Sequence, residues 1–458
     1  MVSLKGKRTR TSVVAASLTL VLLVAGCSGT GDNTSSRSTT TESQSGSVAD
    51  NDLLAKYDVA IPGADLSLGL MPYADHMAPV IANDLDWFEE VGINVKDKRA
   101  SLALDQLQAL TLDGTYDMTS NYIPDQLRNW EAAPNVKFLG IFDATTGTAV
   151  LAPPNSQYET IKTALEKGMS WDDAAKKVMA QMANKSFGME DVGAHRGFID
   201  PAMKAGGITF EDLGELKTAK DPQLLLMANG GQLDFVLPQG GAAEALLINQ
   251  GWYPIIEHMD LVRNLPPGDP DAVAGIGSTG ISLTKEFYDA NHDTSLRVAG
   301  VMFRVIDAIR SDLENGNYDH IKLVAPVLSA AASTDITPED LLVVYRDVGP
   351  FVNFEEQEEY WVDEESPLYY KTVYDVQIDL AREGGAVSDP DMNAEGLADI
   401  AEEVYKEMKS LKEEYEAMLP EASEFDGDQA KLVEIAKRHF ENRNYLDANR
   451  ILTAAVTG

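Results

Sequence analysis

The chain has 458 residues, and its 73 Asp and Glu residues outnumber its 37 Lys and Arg residues, giving a formal net charge of −36. A field of this sign repels nucleic acid and anionic lipid, so no nucleic-acid partner is expected, and an anionic ligand would need local positive groups. Cys27 is the only cysteine, which excludes disulfides within the chain and metal sites or nucleophiles built from cysteine.

The first 27 residues have the pattern of an export signal. Basic residues at positions 5, 7, 8 and 10 precede an apolar run that ends at Cys27, and small residues stand directly before the cysteine. This ending resembles the lipobox of bacterial lipoproteins. The resemblance implies that Cys27 is lipidated and becomes the mature N-terminus, anchored at the outer face of the cytoplasmic membrane. The alternative is a transmembrane helix with a buried cysteine, for which the run is short.

Residues 28–55 begin with a stretch rich in Ser, Thr and Gly that has almost no apolar side chains. Such a stretch cannot bury enough surface to fold, so we interpret it as a flexible tether. The roughly 400 residues that follow are enough for two lobes. No later segment is apolar for long enough to span a bilayer.

Strands alternate with helices along the folded part. Periodicity predicts strands at 65–70, 93–95 and 136–142 and helices at 78–85, 101–112 and 124–132. The pattern begins again after residue 151, with helices at 160–167, 171–183 and 198–205 and strands at 185–189 and 233–237. Beyond residue 277 it becomes mostly helical, at 296–314, 338–344 and 371–382, and it closes with an acidic segment at 394–418 and a final helix at 431–440. This alternation predicts an α/β fold with largely parallel sheets.

Three phrases resemble the solute-binding proteins of ABC importers for nitrate, alkanesulfonates, taurine and thiamine-pyrimidine precursors. They are "DWFEEVGI" (86–93), "LDGTYDMTSNYIP" (112–124) and "LMANGGQLDFVLPQGGAAEALLINQG" (226–251). The resemblance implies a two-lobed periplasmic binding protein type II fold, in which two crossover strands join the lobes and the ligand lies in the cleft. Lobe one would comprise residues 56–150 and 278–458, with a largely helical C-terminal region, and lobe two residues 151–277.

The same resemblance implies a monomeric extracytoplasmic protein that captures a small molecule and delivers it to an ABC permease. The implied ligand is nitrate, a sulfonate such as taurine, or a pyrimidine-like compound, and neither a reaction nor a cofactor is expected. Two alternatives stay open. One is an exported ligand-sensing protein that works with a receptor; the other is an enzyme similar to the pyrimidine synthase of the thiamine pathway, which has this fold. Export and the lack of a cysteine cluster argue against the enzyme.

Ligand contacts are expected in the loops after strands, because ligands of such α/β proteins lie beyond the carboxyl ends of strands, where helix N-termini present N–H groups. The predicted ligand-binding residues are Tyr73, Ser120, Asn121, Tyr122, Thr146, Gly193, Ala194, His195, Arg196, Gln239, Gly240 and Thr279. Structural alternatives exist: Tyr73 could pack locally, Asn121 could cap a helix, and Thr146 and Gly240 could serve only a turn.

The stretch "DVGAHRGFIDPAMKAGG" (191–207) carries a His and an Arg at the expected start of a helix. The positive end of the helix dipole favours a negative or polar group there. Arg196 would clamp an anion with two hydrogen bonds and His195 would donate a third, or else either side chain would face solvent. This stretch therefore predicts one wall of the cleft.

The histidines show no metal-ligand spacing. They are His76, His195, His258, His292, His320 and His439. The sequence also lacks a phosphate-binding Gly-x-x-x-x-Gly-Lys-Ser/Thr loop and a Gly-x-Ser-x-Gly nucleophile turn. It therefore predicts no metal site and no catalytic residue.

Overall fold

The computed structural model describes residues 48–100, 104–145, 148–190, 193–239, 241–332, 335–349, 351–422 and 424–458. Cys27, Thr146 and Gly240, for which the sequence predicts functional roles, lie outside these residues.

Three groups of elements follow one another along the chain. The first group is α1 (Val48–Lys56), β1 (Ala64–Leu70), α2 (Ala78–Asp84), α3 (Trp87–Glu90), β2 (Ile93–Ala100), α4 (Leu104–Leu112), β3 (Met118–Tyr122), α5 (Ile123–Arg128) and β4 (Val136–Thr145). The second is β5 (Ala149–Ala152), α6 (Ile161–Glu166), α7 (Trp171–Met179), β6 (Ser186–Met189), α8 (Gly193–Gly206), β7 (Glu215–Thr218), α9 (Asp221–Asn229), β8 (Phe235–Leu237), α10 (Gly241–Asn249), β9 (Tyr253–Glu257), α11 (His258–Asn264) and α12 (Pro270–Val273). The third is β10 (Gly277–Thr284), α13 (Lys285–Ala290), α14 (His292–Asn315), α15 (Ala325–Ala332), α16 (Pro338–Val343), α17 (Glu358–Trp361), α18 (Tyr370–Glu383), α19 (Ala394–Ala422), α20 (Gly427–Glu441) and α21 (Tyr445–Thr457).

The strands form two five-stranded sheets of the same topology. The first has the order β2-β1-β3-β10-β4 and the second the order β7-β6-β8-β5-β9. In each sheet the fourth strand, β10 or β5, runs antiparallel to both of its neighbours. We call the first sheet with its helices lobe one and the second sheet with its helices lobe two.

The chain passes between the sheets twice. The first crossing leads from β4 to β5, and the second leads from β9 through α11 and α12 to β10. The two crossings are joined where the backbone N–H of His258 donates to the carbonyl of Thr148 at 2.9 Å. The two-lobed α/β fold with a helical C-terminal region, predicted from the sequence, is thereby confirmed.

Each lobe has its own apolar core. Leu68, Phe138 and Ile281 belong to the core of lobe one, whereas Phe187 and Phe235 belong to a separate core in lobe two. Burial of large apolar side chains contributes about 1.5–3 kcal/mol each. The lobe-one cluster also includes Ala245 of α10 and Val262 of α11, so the two lobes touch along these helices.

The C-terminal helices pack on lobe one and on α1. Leu54 of α1 is buried in one cluster with Leu432 of α20 and Leu452 of α21. Residues 48–55, assigned to the flexible tether from the sequence, are therefore part of a packed helix, because Leu54 is buried against these C-terminal residues. The buried guanidinium of Arg297 on α14 donates from Nε and Nη2 to the carboxylate of Asp447 on α21, at 2.8 and 2.9 Å.

Two further local differences from the sequence-based prediction concern the cleft. Helix α8 begins at Gly193 instead of residue 198, so His195 and Arg196 lie within its first turn. The segment Gly277–Thr284, expected to open a helical region, is the buried strand β10. Among the described helices, none combines the length and the apolar character needed to cross a bilayer.

Candidate ligand-binding site

Residues of both lobes line a cavity of about 150 Å³ beside the two crossings. A protein cavity of roughly this volume can hold benzene, so the space suits a small molecule. The lining residues are Met71, Tyr73, Ala74, Asp75, His76, Tyr122, Asp125, Arg128, Asp143, Thr148, His195, Gln239, Gly241, Gly275, Val344 and Gly349.

The segment that follows β1 contributes a carboxylate, a histidine and an aromatic ring. Asp75 lies in a single 3₁₀ turn, Ala74–His76, and its Oδ2 accepts a hydrogen bond from the Thr279 hydroxyl at 2.7 Å. The ring of His76 is 4% exposed, and its Nε2 lies 3.4 Å from the same carboxylate oxygen. Burial lowers the pKa of His76 although Asp75 opposes this shift, so the imidazole is neutral near pH 7.

The end of β3 and the start of α5 contribute the next group. Pro124 in the first turn of α5 suits a helix start, because proline lacks the N–H that would be unpaired there. The Tyr122 ring packs on Gly277, where a Cβ atom would lie 2.5 Å from the Tyr122 hydroxyl. Arg128 Nη1 donates to Asp125 Oδ1 at 2.7 Å. Burial raises the pKa of Asp125, and the positive charge of Arg128 partly offsets this rise.

Near its end, strand β4 places Asp143 at the cavity, and the side chain of Asp143 is fully buried. Its backbone pairs with Phe351 in an isolated bridge, which brings the loop at Gly349 close to the carboxylate. A Cβ atom at Gly349 would lie 2.9 Å from Asp143 Oδ2. A glycine at this position therefore lets the loop approach the carboxylate. We call the lobe-one lining residues Tyr73, Asp75, His76, Tyr122, Asp125, Arg128 and Asp143 the first wall.

Lobe two contributes His195, Gln239 and Gly241, which we call the second wall. His195 is 2% exposed, its Nδ1 lies 2.8 Å from the carbonyl oxygen of Glu190, and burial lowers its pKa. The backbone N–H of Gln239 donates to Asp221 Oδ1 at 2.9 Å, which ties the loop after β8 to the start of α9. The second wall therefore presents neutral polar groups.

Of the predicted ligand-binding residues whose side chains the structure describes, four line the cavity. They are Tyr73, Tyr122, His195 and Gln239. The buried side chains of Ser120 and Thr279 bind residues that line the cavity. The Ser120 hydroxyl accepts a hydrogen bond from the Met71 backbone N–H at 2.7 Å, and the Thr279 hydroxyl donates one to Asp75. Contact between any of these residues and a ligand stays a prediction.

Asn121 faces the sheet and the helix beside it. Its Nδ2 donates to Ser282 Oγ at 2.5 Å and to Gln126 Oε1, which joins β3 to β10 and α5. Successive side chains of a strand point to opposite faces, so Asn121 points away from the face that carries Tyr122. Its hydrogen bonds within the fold match the structural alternative.

Arg196 is not among the residues that line the cavity, although His195 is. Neighbouring residues of an α-helix point about 100° apart, so the two side chains cannot share a direction. Arg196 Nη1 pairs with Asp200 at 3.2 Å, and the guanidinium lies over the Phe210 ring at 4.3 Å. The proposed anion clamp therefore lies on another face of α8. Gly193 and Ala194 form the start of this helix, and their contact with a ligand stays a prediction.

The carboxylates of the first wall were missed from the sequence. Asp143 directly follows the predicted strand 136–142, so the rule that ligands lie beyond strand ends could have identified it. Asp75 and Asp125 carry no such signal, because one lies in a short turn and the other inside a predicted helix.

Outside the cavity, one ligand atom each of His292, Glu403 and Glu407 lies within 4.8 Å of the others. His292 is more than 100 positions from the two glutamates, so spacing in the sequence could not reveal the group. Glu403 is exposed, and His292 Nε2 already lies 2.9 Å from Glu407. The group forms an ion pair between α14 and α19.

Two lobes of equal topology, two crossings and a cavity between the lobes define the periplasmic binding protein type II fold. No protein-family model and no curated protein matches the chain. Among solved structures, the periplasmic aliphatic sulphonate-binding protein SsuA of Escherichia coli is similar, with 13% identity and a TM-score of 0.48, covering 71% of this chain and 89% of that one.

Two further solved structures are similar at the same level. The periplasmic nitrate-binding protein NrtA of Synechocystis PCC 6803 has 13% identity and a TM-score of 0.47, with 75% and 88% of the two chains covered. The ligand-binding component of an ABC-type import system from Staphylococcus aureus, with zinc bound, has 11% identity and a TM-score of 0.47, with 75% and 98% covered. Likeness at these identities carries no statement about the ligand of this chain.

Proposed function

We propose that this protein is an extracytoplasmic solute-binding lipoprotein that captures a small molecule between its lobes and delivers it to an ABC importer. The observation that carries this proposal is the cavity beside the crossings, lined from both lobes. A site of this kind binds by closure: the open lobes admit the ligand, and a hinge rotation then buries it.

The two crossings are the segments about which the lobes would rotate. The Thr148–His258 hydrogen bond joins them, and the buried His258 ring, whose pKa burial lowers to about 4, is uncharged at neutral pH. A Cβ atom at Gly275 would lie 2.9 Å from His258 Nε2, and one at Gly197 would lie 2.5 Å from the Ala274 carbonyl. Glycines therefore permit the crossing backbone to pass close to α8 and α11.

The N-terminal sequence supports lipid anchoring of the protein, and the fold class supports delivery of a ligand to a permease. The export signal and Cys27 support attachment by lipid to the outer face of the cytoplasmic membrane, with the folded part held there as a monomer. An ABC permease is the partner that such a location and a two-lobed capture fold suit. Binding and release by domain closure involve no bond-making step, so we propose no catalytic role.

Closure can be measured as a distance across the groove that opens from the cavity. Leu226 of lobe two and Ala331 of lobe one both line this groove. We expect spin labels on Leu226→Cys and Ala331→Cys, in a Cys27→Ser background, to approach each other when a ligand binds. Nitrate, ethanesulfonate, taurine, 4-aminopyrimidine and benzylamine are the probes, screened first by thermal shift, since ligand at one hundred times Kd adds about 2.7 kcal/mol.

The matched control carries both labels on lobe two, on Leu226→Cys and the exposed Lys162→Cys, and its distance should not change. An unchanged distance in the cross-groove pair, with a probe that raises Tm, would contradict capture by closure.

A further inference from the structure

Carboxylates dominate the ionisable groups that line the cavity. Within the described part of the lining, Asp75, Asp125 and Asp143 face one guanidinium, that of Arg128. Arg128 pairs with Asp125, and Asp143 also has an interaction partner within the fold, whereas the side chain of Asp75 is 23% exposed. His76 and His195 add no positive charge near pH 7, because burial lowers the pKa of both.

The acidic character continues outward. A groove of about 650 Å³ shares Tyr73 and Gln239 with the cavity, and Glu190, Asp221 and Lys220 line it. Burial raises the pKa of the Tyr73 hydroxyl, and the charges of Glu190, Asp221, Asp75 and Asp125 raise it further. A ligand approaching through the groove therefore meets a negative potential before it reaches the cavity.

The acidity of the whole chain does not by itself account for this lining. Solvated carboxylates on a surface are stabilised by water, whereas a carboxylate with little exposure depends on nearby polar groups or a counter-charge. Asp143 is fully buried, and the side chain of Asp75 is 23% exposed. A partly exposed carboxylate such as that of Asp75 repels an anion at short range, where salt screens poorly.

The spacing of these groups disfavours a bare metal ion. A metal site requires ligand atoms close enough to reach one ion, and the first wall provides no three His, Asp or Glu atoms within 4.8 Å of one another among the described residues. A ligand that contacts several of these carboxylates must therefore be larger than a single metal ion. The half-exposed Tyr73 ring and the Tyr122 ring offer faces that attract a cation with an apolar body.

We infer that the ligand is a small organic cation, a protonated amine or amidine of roughly the size of a benzene ring, whose charge lies against the carboxylates of the first wall. This inference rests on the proposed function, because it names the ligand class of the same cavity. It departs from nitrate and alkanesulfonate, which would place negative charge beside Asp75 and Asp143.

A charge series of equal size tests the inference. Benzylamine and benzamidine are the cations, benzyl alcohol is the neutral member, and benzoate and benzenesulfonate are the anions. Titration calorimetry with the full chain should rank the cations first, by at least about tenfold over the neutral member, because a hydrogen bond to a charged group contributes more than a neutral one.

Two variants locate the effect. Asp75→Asn keeps an oxygen for the Thr279 hydroxyl and should weaken cation binding by about tenfold or more without improving the neutral member. Asp319→Asn removes the same charge from an exposed residue that does not line the cavity, and it should change no affinity by more than about twofold.

The outcomes separate the two claims. Tighter binding of the anions, or equal loss in both variants, would overturn the inference and leave capture of a small molecule standing. Failure of every member of the series and of nitrate, taurine and 4-aminopyrimidine to bind would contradict the proposed function together with the inference.

Discussion

The two walls of the cavity differ in the groups that they present to a ligand. The first wall brings three carboxylates, one guanidinium, two tyrosines and the buried His76, from β3, β4, α5 and the segment after β1. The second wall brings a buried neutral histidine, a glutamine and a glycine. The difference suggests a division of roles in which lobe one recognises the charge of the ligand in the open state and lobe two closes over it.

Removing the charge of the first wall is expected to have the largest effect. In the double variant Asp75→Asn with Asp125→Asn, benzylamine affinity should fall about a hundredfold or more, since a hydrogen bond to a charged group contributes roughly 1.5–3 kcal/mol and the guanidinium of Arg128 loses its carboxylate partner. Titration calorimetry measures the loss, and circular dichroism shows whether the variant is folded. A folded double variant that binds benzylamine as tightly as the parent would show that lobe one does not recognise charge.

Truncation on the second wall should cost less. Gln239→Ala removes a neutral polar side chain from the loop after β8, and we expect a two- to tenfold loss of benzylamine affinity. The same calorimetry provides the comparison with the first wall. A larger loss here than in Asp75→Asn would reverse the roles assigned to the two lobes.

Lobe two also contains a buried carboxyl group, Glu244 of α10, which does not line the cavity. Burial raises its pKa well above the usual range, and the charges of Glu257 and Asp221 raise it further, although the Ala149 N–H opposes this. Stability that depends on the protonated form is complete below the usual pKa of glutamate and is lost as pH rises through the raised value.

Glu244→Gln keeps an acceptor for the Ala149 N–H and cannot ionise. We expect its Tm to equal that of the parent at pH 4 and to exceed it increasingly as pH rises, as measured by scanning calorimetry. A difference between the two Tm values that does not change with pH would show that this carboxyl group does not titrate in the way its burial implies.

The smallest effect is expected at Arg196. Its guanidinium pairs with Asp200 and lies over Phe210, so Arg196→Ala should change benzylamine or benzenesulfonate affinity by less than about twofold. The loss of an exposed ion pair lowers stability by at most about 1 kcal/mol. A strong loss of benzenesulfonate binding would restore the anion clamp that the sequence favours.

The fold could be predicted where periodicity was long and regular. Strand β1 and helix α2 agree with the predicted 65–70 and 78–85 within a residue or so. Strand β5 was missed because four apolar residues give no readable period, and β10 was missed because its Gly, Ser and Thr residues suggest a turn. In the structure, β5 and β10 are each hydrogen-bonded to a neighbouring strand on both sides, and only the tertiary fold supplies these neighbours.

The site could be predicted only as a set of loops. The strand-end rule found Tyr73, Tyr122 and Gln239, but the direction of a side chain depends on where a helix or strand begins. Helix α8 begins five residues earlier than predicted. His195 therefore lines the cavity while Arg196 points to another face of the helix, and the second wall is neutral instead of cationic. The carboxylates were overlooked because an acidic chain offers too many of them to choose from.

A crystal structure of the protein with the amine of the charge series that binds most tightly would test the central claim most directly. The account predicts a closed cleft with the amine nitrogen about 2.7–2.9 Å from a carboxylate oxygen of Asp75 or Asp125. A nitrogen directed at His195 or Gln239, or a molecule seated outside the cavity, would contradict recognition of charge by the first wall.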